Sequence, residues 1–105
     1  MVEELTPAAV HERIEGDAAF DLIDIRDDDA YEDNHLPTAE HVTVEELEET
    51  VVDRDWADEV VVYCYVGQTS VQAARLVEKY GNADSVASMA GGYEAWEPAV
   101  DPATD

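Results

Sequence analysis

The only cysteine of the chain, Cys64, stands where an apolar run ends and a helical pattern begins. Val60-Val61-Val62-Tyr63 reads as a β-strand that runs straight into it. Tyr65, Val66, Gly67, Gln68 and Thr69 follow as a short loop with one glycine. Ser70 to Tyr80 then carries a helical pattern closed by Gly81. Strand, tight loop and helix start, in that order, make a cradle of backbone N–H groups with the cysteine at its mouth. Such a cradle stabilises a thiolate and holds an anion against it. The chemistry on offer is nucleophilic attack by sulfur. The competing reading is a buried core thiol, the usual fate of a lone cysteine.

A nucleophile needs a frame, and the rest of the chain reads as alternating helices and strands. Thr6 caps a helix with Pro7 at its first position, Val10, Ile14 and Ala9 on its apolar stripe, and Gly16 at its end. His11 and Glu12 fall on the solvated side. Phe20 to Ile25 reads as a short strand followed by Arg26. Asp27-Asp28-Asp29 caps a helical turn through Tyr31, and His35-Leu36-Pro37 is a loop that Pro37 keeps from continuing as helix. His41 to Val44 is extended. Thr43 with Glu46 forms a capping box, so a helix is expected from about 44 to 51 with Val44, Leu47 and Val51 facing inward. Asp53 to Asp58 is a polar connection with Trp56 folded onto the core.

Glu59 to Cys64 is the central strand, apolar enough to be buried on both faces. Ser85 to Met89 is a further strand. Gly91-Gly92 turns the chain into a short closing helix, Tyr93 to Trp96, and the residues from Glu97 on read as a frayed end. This alternation predicts an α/β fold, a mostly parallel sheet covered by helices on both faces. Ligands of such sheets bind beyond the carboxyl ends of the strands, which is where Cys64 falls. The length suits one domain over 1–105, with its core over about 5–97.

Composition narrows the partners. Asp and Glu number 27 against 5 Lys and Arg, a formal net charge of -22. That field repels nucleic acid and anionic membrane, so neither is expected as a partner. The acids are spread over helices and loops, not gathered in a tail, and this points to a protein adapted to concentrated salt. One cysteine excludes an internal disulfide and a CxxC redox pair. No apolar segment follows Met1 as a secretory signal would, and no run approaches the length of a membrane span, so a cytoplasmic location is expected. His11, His35, His41 and Cys64 lack metal-ligand spacing, and neither metal nor cofactor is expected.

Three segments resemble the rhodanese (thiosulfate sulfurtransferase) domain in its single-domain form. Asp24-Ile25-Arg26 through Tyr31 to His35-Leu36-Pro37-Thr38-Ala39 is similar to D-V-R…Y…G-H-I-P-G-A. Cys64 to Ser70 is similar to the active-site loop C-x-x-G-x-x-S, and Gly91-Gly92-Tyr93-Glu94-Ala95-Trp96 to G-G-x-x-A-W. Asn34 and Thr38 replace glycines of the pattern, Ala30 replaces a frequent Glu, and Thr69 stands where many members have a donor-binding Arg. In its hydroxyl residue at 69, the loop is closer to the C-Y-x-G-x-S-S form of the small thiosulfate sulfurtransferases.

The resemblance implies a sheet of about five strands. It also implies a two-step sulfur transfer through a Cys64 persulfide. The donor would be a small sulfur-bearing anion, and the acceptor a thiophile such as cyanide or a thiol, or a sulfur-accepting protein. N–H groups from Tyr65 to Ser70, taking in Val66, Gly67, Gln68 and Thr69, would surround the persulfide, and Gly67 would let the backbone curl close. The Thr69 and Ser70 hydroxyls would donate further bonds, unless Ser70 serves purely as a helix N-cap. Asp24 and Arg26 would pair or bind loop backbone below the site, His35 would fix its loop, and Tyr65 and Val66 would shape acceptor choice at the rim. Three rivals stand beside this reading: a cysteine phosphatase or arsenate reductase, a non-catalytic binding module, and a persulfide carrier to a protein partner.

Overall fold

The computed structural model describes residues 2–16, 20–81 and 83–100. In chain order the elements are β1 (Glu3–Leu5), α1 (Pro7–Glu15), β2 (Asp21–Asp24), α2 (Asp28–Asp33), β3 (Glu40–His41), α3 (Val44–Thr50), β4 (Glu59–Tyr63), α4 (Thr69–Tyr80), β5 (Ser85–Met89) and α5 (Gly92–Val100). The strands form one five-stranded sheet in the order β1-β5-β4-β2-β3, and every pairing is parallel. This is the α/β architecture that the alternating pattern predicts.

The central strand explains the two-sided core. Side chains alternate across a strand, so Val60 and Val62 face one way and Val61 and Tyr63 the other. Val60 and Val62, with Cys64 just beyond, pack with Leu47 and Val51 and with Ala73, Ala74 and Val77 of α4. Val61 and Tyr63 pack with Val10 of α1, Met89 and Trp96 of α5. Both faces are buried, which is why β4 reads as a continuous apolar run. Val60, Val61 and Val62 are fully buried, and each contributes about 1.5–3 kcal/mol relative to exposure.

The helix starts follow local chemistry. Thr6 Oγ1 accepts from the Ala9 N–H at 3.1 Å, with Pro7 opening α1. At α3 the Thr43 N–H donates to Glu46 at 3.0 Å while the Glu46 N–H donates to Thr43 Oγ1 at 3.3 Å, a complete capping box. Gly81 closes α4 by donating its N–H to the Val77 carbonyl at 2.8 Å. Trp56 lies in the core, its indole N–H donating to the Val51 carbonyl at 3.0 Å.

Several local expectations are corrected. Strand β1 is not evident in the sequence, and it pairs through its backbone with β5 at the sheet edge. Strand β3 is only Glu40–His41, shorter and one residue earlier than the extended stretch expected from 41 to 44. Helix α5 continues to Val100, where fraying was expected from Glu97; residues 101–105 lie outside the described residues. His11 is half-buried and meets Trp96 edge-on, ring centroids 5.9 Å apart, so it is not a purely solvated side chain. Thr38, where the resembling pattern has Gly, holds φ at 68° and keeps the turn despite its branched side chain. Among the described residues no helix is long and apolar enough to cross a membrane.

Candidate active site

Cys64 is the first residue past β4 and is 4% exposed. The loop after it curls so that backbone donors converge on its sulfur. The Gly67 N–H lies 3.2 Å from Sγ and the Ser70 N–H 3.3 Å, and the Val66 N–H also favours its charged form. Gly67 makes the curl possible with φ of 88°, and a Cβ there would stand 2.8 Å from the Gly91 nitrogen. The start of α5 fixes the loop from the other side. Tyr93 N–H donates to the Cys64 carbonyl at 2.8 Å and Glu94 N–H to the Tyr65 carbonyl at 3.0 Å. In a planar trans peptide the N–H points opposite to the C=O. Turning the Tyr65 carbonyl toward α5 therefore turns the Val66 N–H toward the sulfur. Gly92 allows this approach, since a Cβ there would lie 2.5 Å from the Cys64 carbonyl oxygen.

A hydroxyl completes the cradle. Ser70 Oγ is 3.4 Å from Sγ and 2.7 Å from Ser88 Oγ, and both serines are fully buried. Burial pushes the Cys64 thiol up, but hydrogen bonds from the Ser70 hydroxyl and from the Ser70, Gly67 and Val66 backbone outweigh it. The thiol is held below its ordinary value. Helix α4, with its N-terminus beside Cys64, adds about half a positive charge to the same end.

A second buried polar group lies at the ends of β2 and β4. Asp24 is fully buried and Arg26 is 5% exposed. Arg26 Nε donates to both Asp24 carboxylate oxygens at 3.1 Å, and Nη2 donates to Oδ2 at 2.8 Å. The same Nη2 donates to the Asn34 carbonyl at 2.6 Å. Tyr63 OH donates to Asp24 at 2.6 Å and accepts from the Leu36 N–H at 3.1 Å. The guanidinium lies 4.1 Å from the centre of the Tyr93 ring. Burial alone would lower the Arg26 pKa; the hydrogen bonds and charge of Asp24 outweigh it and hold the group above its ordinary value. Burial pushes Tyr63 up, and Asp24 pushes it further.

The residues singled out from sequence separate into four groups. Cys64, Val66, Gly67 and Ser70 meet at the sulfur. Asp24 and Arg26 form the paired group just described. His35 is exposed, and its side chain turns to its own loop: its Nδ1 lies 2.9 Å from the Tyr31 carbonyl, and its ring stacks on Tyr31 at 3.9 Å. Tyr65 and Val66 form the rim, 44% and 45% exposed, and Tyr65 OH donates to Asp27 at 3.1 Å.

Two expectations about the helix start change. Gln68, not Ser70, occupies the N-cap of α4, so Ser70 is not a simple cap. Thr69 is exposed and lines a shallow cleft with Val44, Glu48 and Gln72, with no hydrogen bond to the sulfur among the described residues. Ser88 was missed by sequence reasoning. Its one available signal is a polar residue on the Val86 face of a buried strand, at the carboxyl end. The cations lie elsewhere: Arg13 pairs with Glu59, Arg26 with Asp24 and Arg54 with Glu40, while Arg75 and Lys79 are exposed further along α4.

The family profile of the Rhodanese-like domain matches residues 6–99. Thiosulfate sulfurtransferase GlpE of Coxiella burnetii (strain RSA 331 / Henzerling II) is 36% identical over 76 residues, covering 72% of this chain and 70% of the relative. A rhodanese-like domain from Anabaena superposes with a TM-score of 0.82 at 26% identity, covering 94% of this chain and 76% of that one. A Rhodopseudomonas palustris protein, described as of unknown function and a possible tyrosine phosphatase, superposes with a TM-score of 0.78 at 27% identity, covering 93% and 81%. A sheet with Cys64 at the carboxyl end of its central strand, a loop curled around that sulfur and the length of the profile match lead to one conclusion: the chain belongs to the rhodanese-like domain family.

Proposed function

We propose that this chain is a sulfurtransferase that carries a sulfane sulfur on Cys64. The Cys64 thiolate attacks the outer sulfur of thiosulfate, the S–S bond breaks, and sulfite leaves with the electron pair. The resulting persulfide anion then gives its outer sulfur to cyanide, releasing thiocyanate and restoring the thiolate. Both steps are displacements at sulfur, so covalent catalysis divides one transfer into two easier ones. The observation that carries this reading is the convergence of the Gly67 and Ser70 N–H groups on Sγ at 3.2 and 3.3 Å. Such donors stabilise an anion at sulfur through both steps. The kinship with thiosulfate sulfurtransferase GlpE points the same way.

Of the rivals, a phosphatase or arsenate reductase needs an Arg six residues after the cysteine to grip the oxyanion bidentately. Position 70 is Ser, which leaves that reading without its main binding group. A protein acceptor uses the same persulfide and is the second reading, favoured by the exposed Tyr65 and Val66 at the rim. A binding module would have no need for a thiol held below its ordinary pKa.

The donor is a dianion and the protein carries a net charge of -22. The field opposes its approach, and salt screens that field. We therefore read the chain as a salt-adapted enzyme. The test is thiocyanate formation from thiosulfate and cyanide across a KCl series. The expected result is turnover that rises with ionic strength and is absent in Cys64→Ser. Turnover retained by Cys64→Ser contradicts the role of the sulfur, and a rate that falls steadily with KCl contradicts the electrostatic part.

A further inference from the structure

We propose that Ser88 is a positioning residue for the nucleophile: it fixes the direction of the Ser70 hydroxyl so that Ser70 donates its one proton to Cys64 Sγ. This rests on the reading of Cys64 as the reacting group and adds a residue from a different strand to it.

Ser88 is fully buried, and among the described residues its hydroxyl has one hydrogen-bond partner, Ser70 Oγ at 2.7 Å. Ser70 is equally buried, and its Oγ touches two groups, Ser88 Oγ and Cys64 Sγ. The chain of three can run in two directions. With the sulfur as a thiol, S–H donates to Ser70 and Ser70 donates to Ser88. The Ser88 proton is then left without an acceptor, a costly condition for a buried donor; if Ser70 donates to the thiol sulfur instead, the S–H proton is the one left unpaired. With the sulfur as an anion, Ser88 donates to Ser70 and Ser70 donates to Sγ, and every proton is paired. Ser88 thus favours the arrangement that serves the thiolate, and each bond in the chain polarises the next.

Sheet geometry makes this possible. Val86 and Ser88 lie two apart on β5 and share the face that looks onto α4. Val62 of β4 pairs with Ser88, two residues before Cys64. The hydroxyl therefore arrives from beneath the loop, while the N–H donors arrive from the loop itself.

The ionisable groups around this corner act through other contacts. Asp24 and Arg26 pair with each other next to Tyr63 and Tyr93. Tyr65 is bonded to Asp27, and Glu48 of α3 shares the Thr69 cleft.

The test is the pH profile of Cys64 alkylation by iodoacetamide in the full chain, compared among wild type, Ser88→Ala, Ser88→Thr, Ser70→Ala and the double Ser70→Ala/Ser88→Ala. Ser88→Ala removes one oxygen and leaves a small side chain beside Val86, and its folding is checked by circular dichroism. The expected result is a midpoint raised by roughly half to one pH unit, an about three- to tenfold loss of thiolate below it. Ser88→Thr, which keeps the hydroxyl, should restore the midpoint. The double variant should match Ser70→Ala alone, because Ser88 acts only through Ser70. A folded Ser88→Ala with the wild-type midpoint overturns the proposal, as does a double variant in which the two shifts add. Alkylation needs no sulfur donor. Failure of thiosulfate to load the wild type would defeat the proposed function and leave the role of Ser88 standing, and the reverse result would do the opposite.

Discussion

Two buried polar clusters lie at the carboxyl end of the same sheet, and they are built to opposite ends. In the Asp24–Arg26–Tyr63 cluster charge meets charge: one carboxylate accepts from Arg26 and Tyr63, and Arg26 Nη2 also reaches the Asn34 carbonyl. In the Cys64–Ser70–Ser88 cluster neutral donors surround one sulfur, and no cation balances it among the described residues. The first is closed by its own partners. The second is complete only when its sulfur carries a negative charge. Burial of polar groups does not by itself mark a reactive site. What marks it is a donor set whose matching anion comes from chemistry and not from another side chain.

The largest expected effect falls on the closed cluster. Asp24→Ala leaves the Arg26 guanidinium buried without its counter-charge and should lower unfolding free energy by about 3–5 kcal/mol. Urea denaturation measures it, and a loss below about 1 kcal/mol would contradict a supporting role for the pair. The alkylation midpoint of Cys64 in the folded fraction should stay put.

Ser70→Ala has the reverse signature. A hydrogen bond to a charged group is worth about 1.5–3 kcal/mol, so losing it should raise the Cys64 midpoint by roughly one pH unit or more. The sign follows from the reacting form. Folded Cys64 is held below its ordinary thiol value by the hydrogen bonds to its sulfur, so alkylation falls as pH drops through the folded midpoint, and Ser70→Ala moves that fall to higher pH. The same depression adds stability that is complete above the unfolded value and is lost as pH falls through the folded one. An unchanged midpoint in a folded variant would remove the distinction between the clusters.

The smallest effect on the comparison comes from salt. Both clusters are buried, whereas the acidic surface is not. Molar KCl should raise the melting temperature through the surface charges and leave the Asp24→Ala loss nearly as it was. A melting temperature that ignores KCl would sink the salt-adapted reading.

Legibility from sequence tracked how local each signal is. The capping box at Thr43, the cap at Thr6 and the apolar run of β4 each reside in a few consecutive residues, and each is present as read. The Cys64 loop was legible for the same reason. Strand β1 was not, because Glu3 and Glu4 are exposed acids and the strand exists through backbone pairing with β5. The fixing of the loop by α5 was invisible too: the Gly91-Gly92 turn was plain, but its N–H contacts to Cys64 and Tyr65 need the tertiary fold. Ser88 lies 24 positions from Cys64 in the sequence, and only the β4–β5 register brings it beneath the sulfur. Thr69 gave the opposite lesson, a hydroxyl next to the site in sequence that faces a surface cleft with Gln72.

In the proposed reaction Cys64 accepts a sulfur atom and holds it as an anion. Intact-mass analysis after incubation with thiosulfate in molar KCl tests this directly, with wild type and Cys64→Ser side by side. The expected result is a gain of one sulfur atom in the wild type, removed by cyanide, and no gain in Cys64→Ser. A folded, reduced wild type that gains nothing, or a gain that persists in Cys64→Ser, would contradict it.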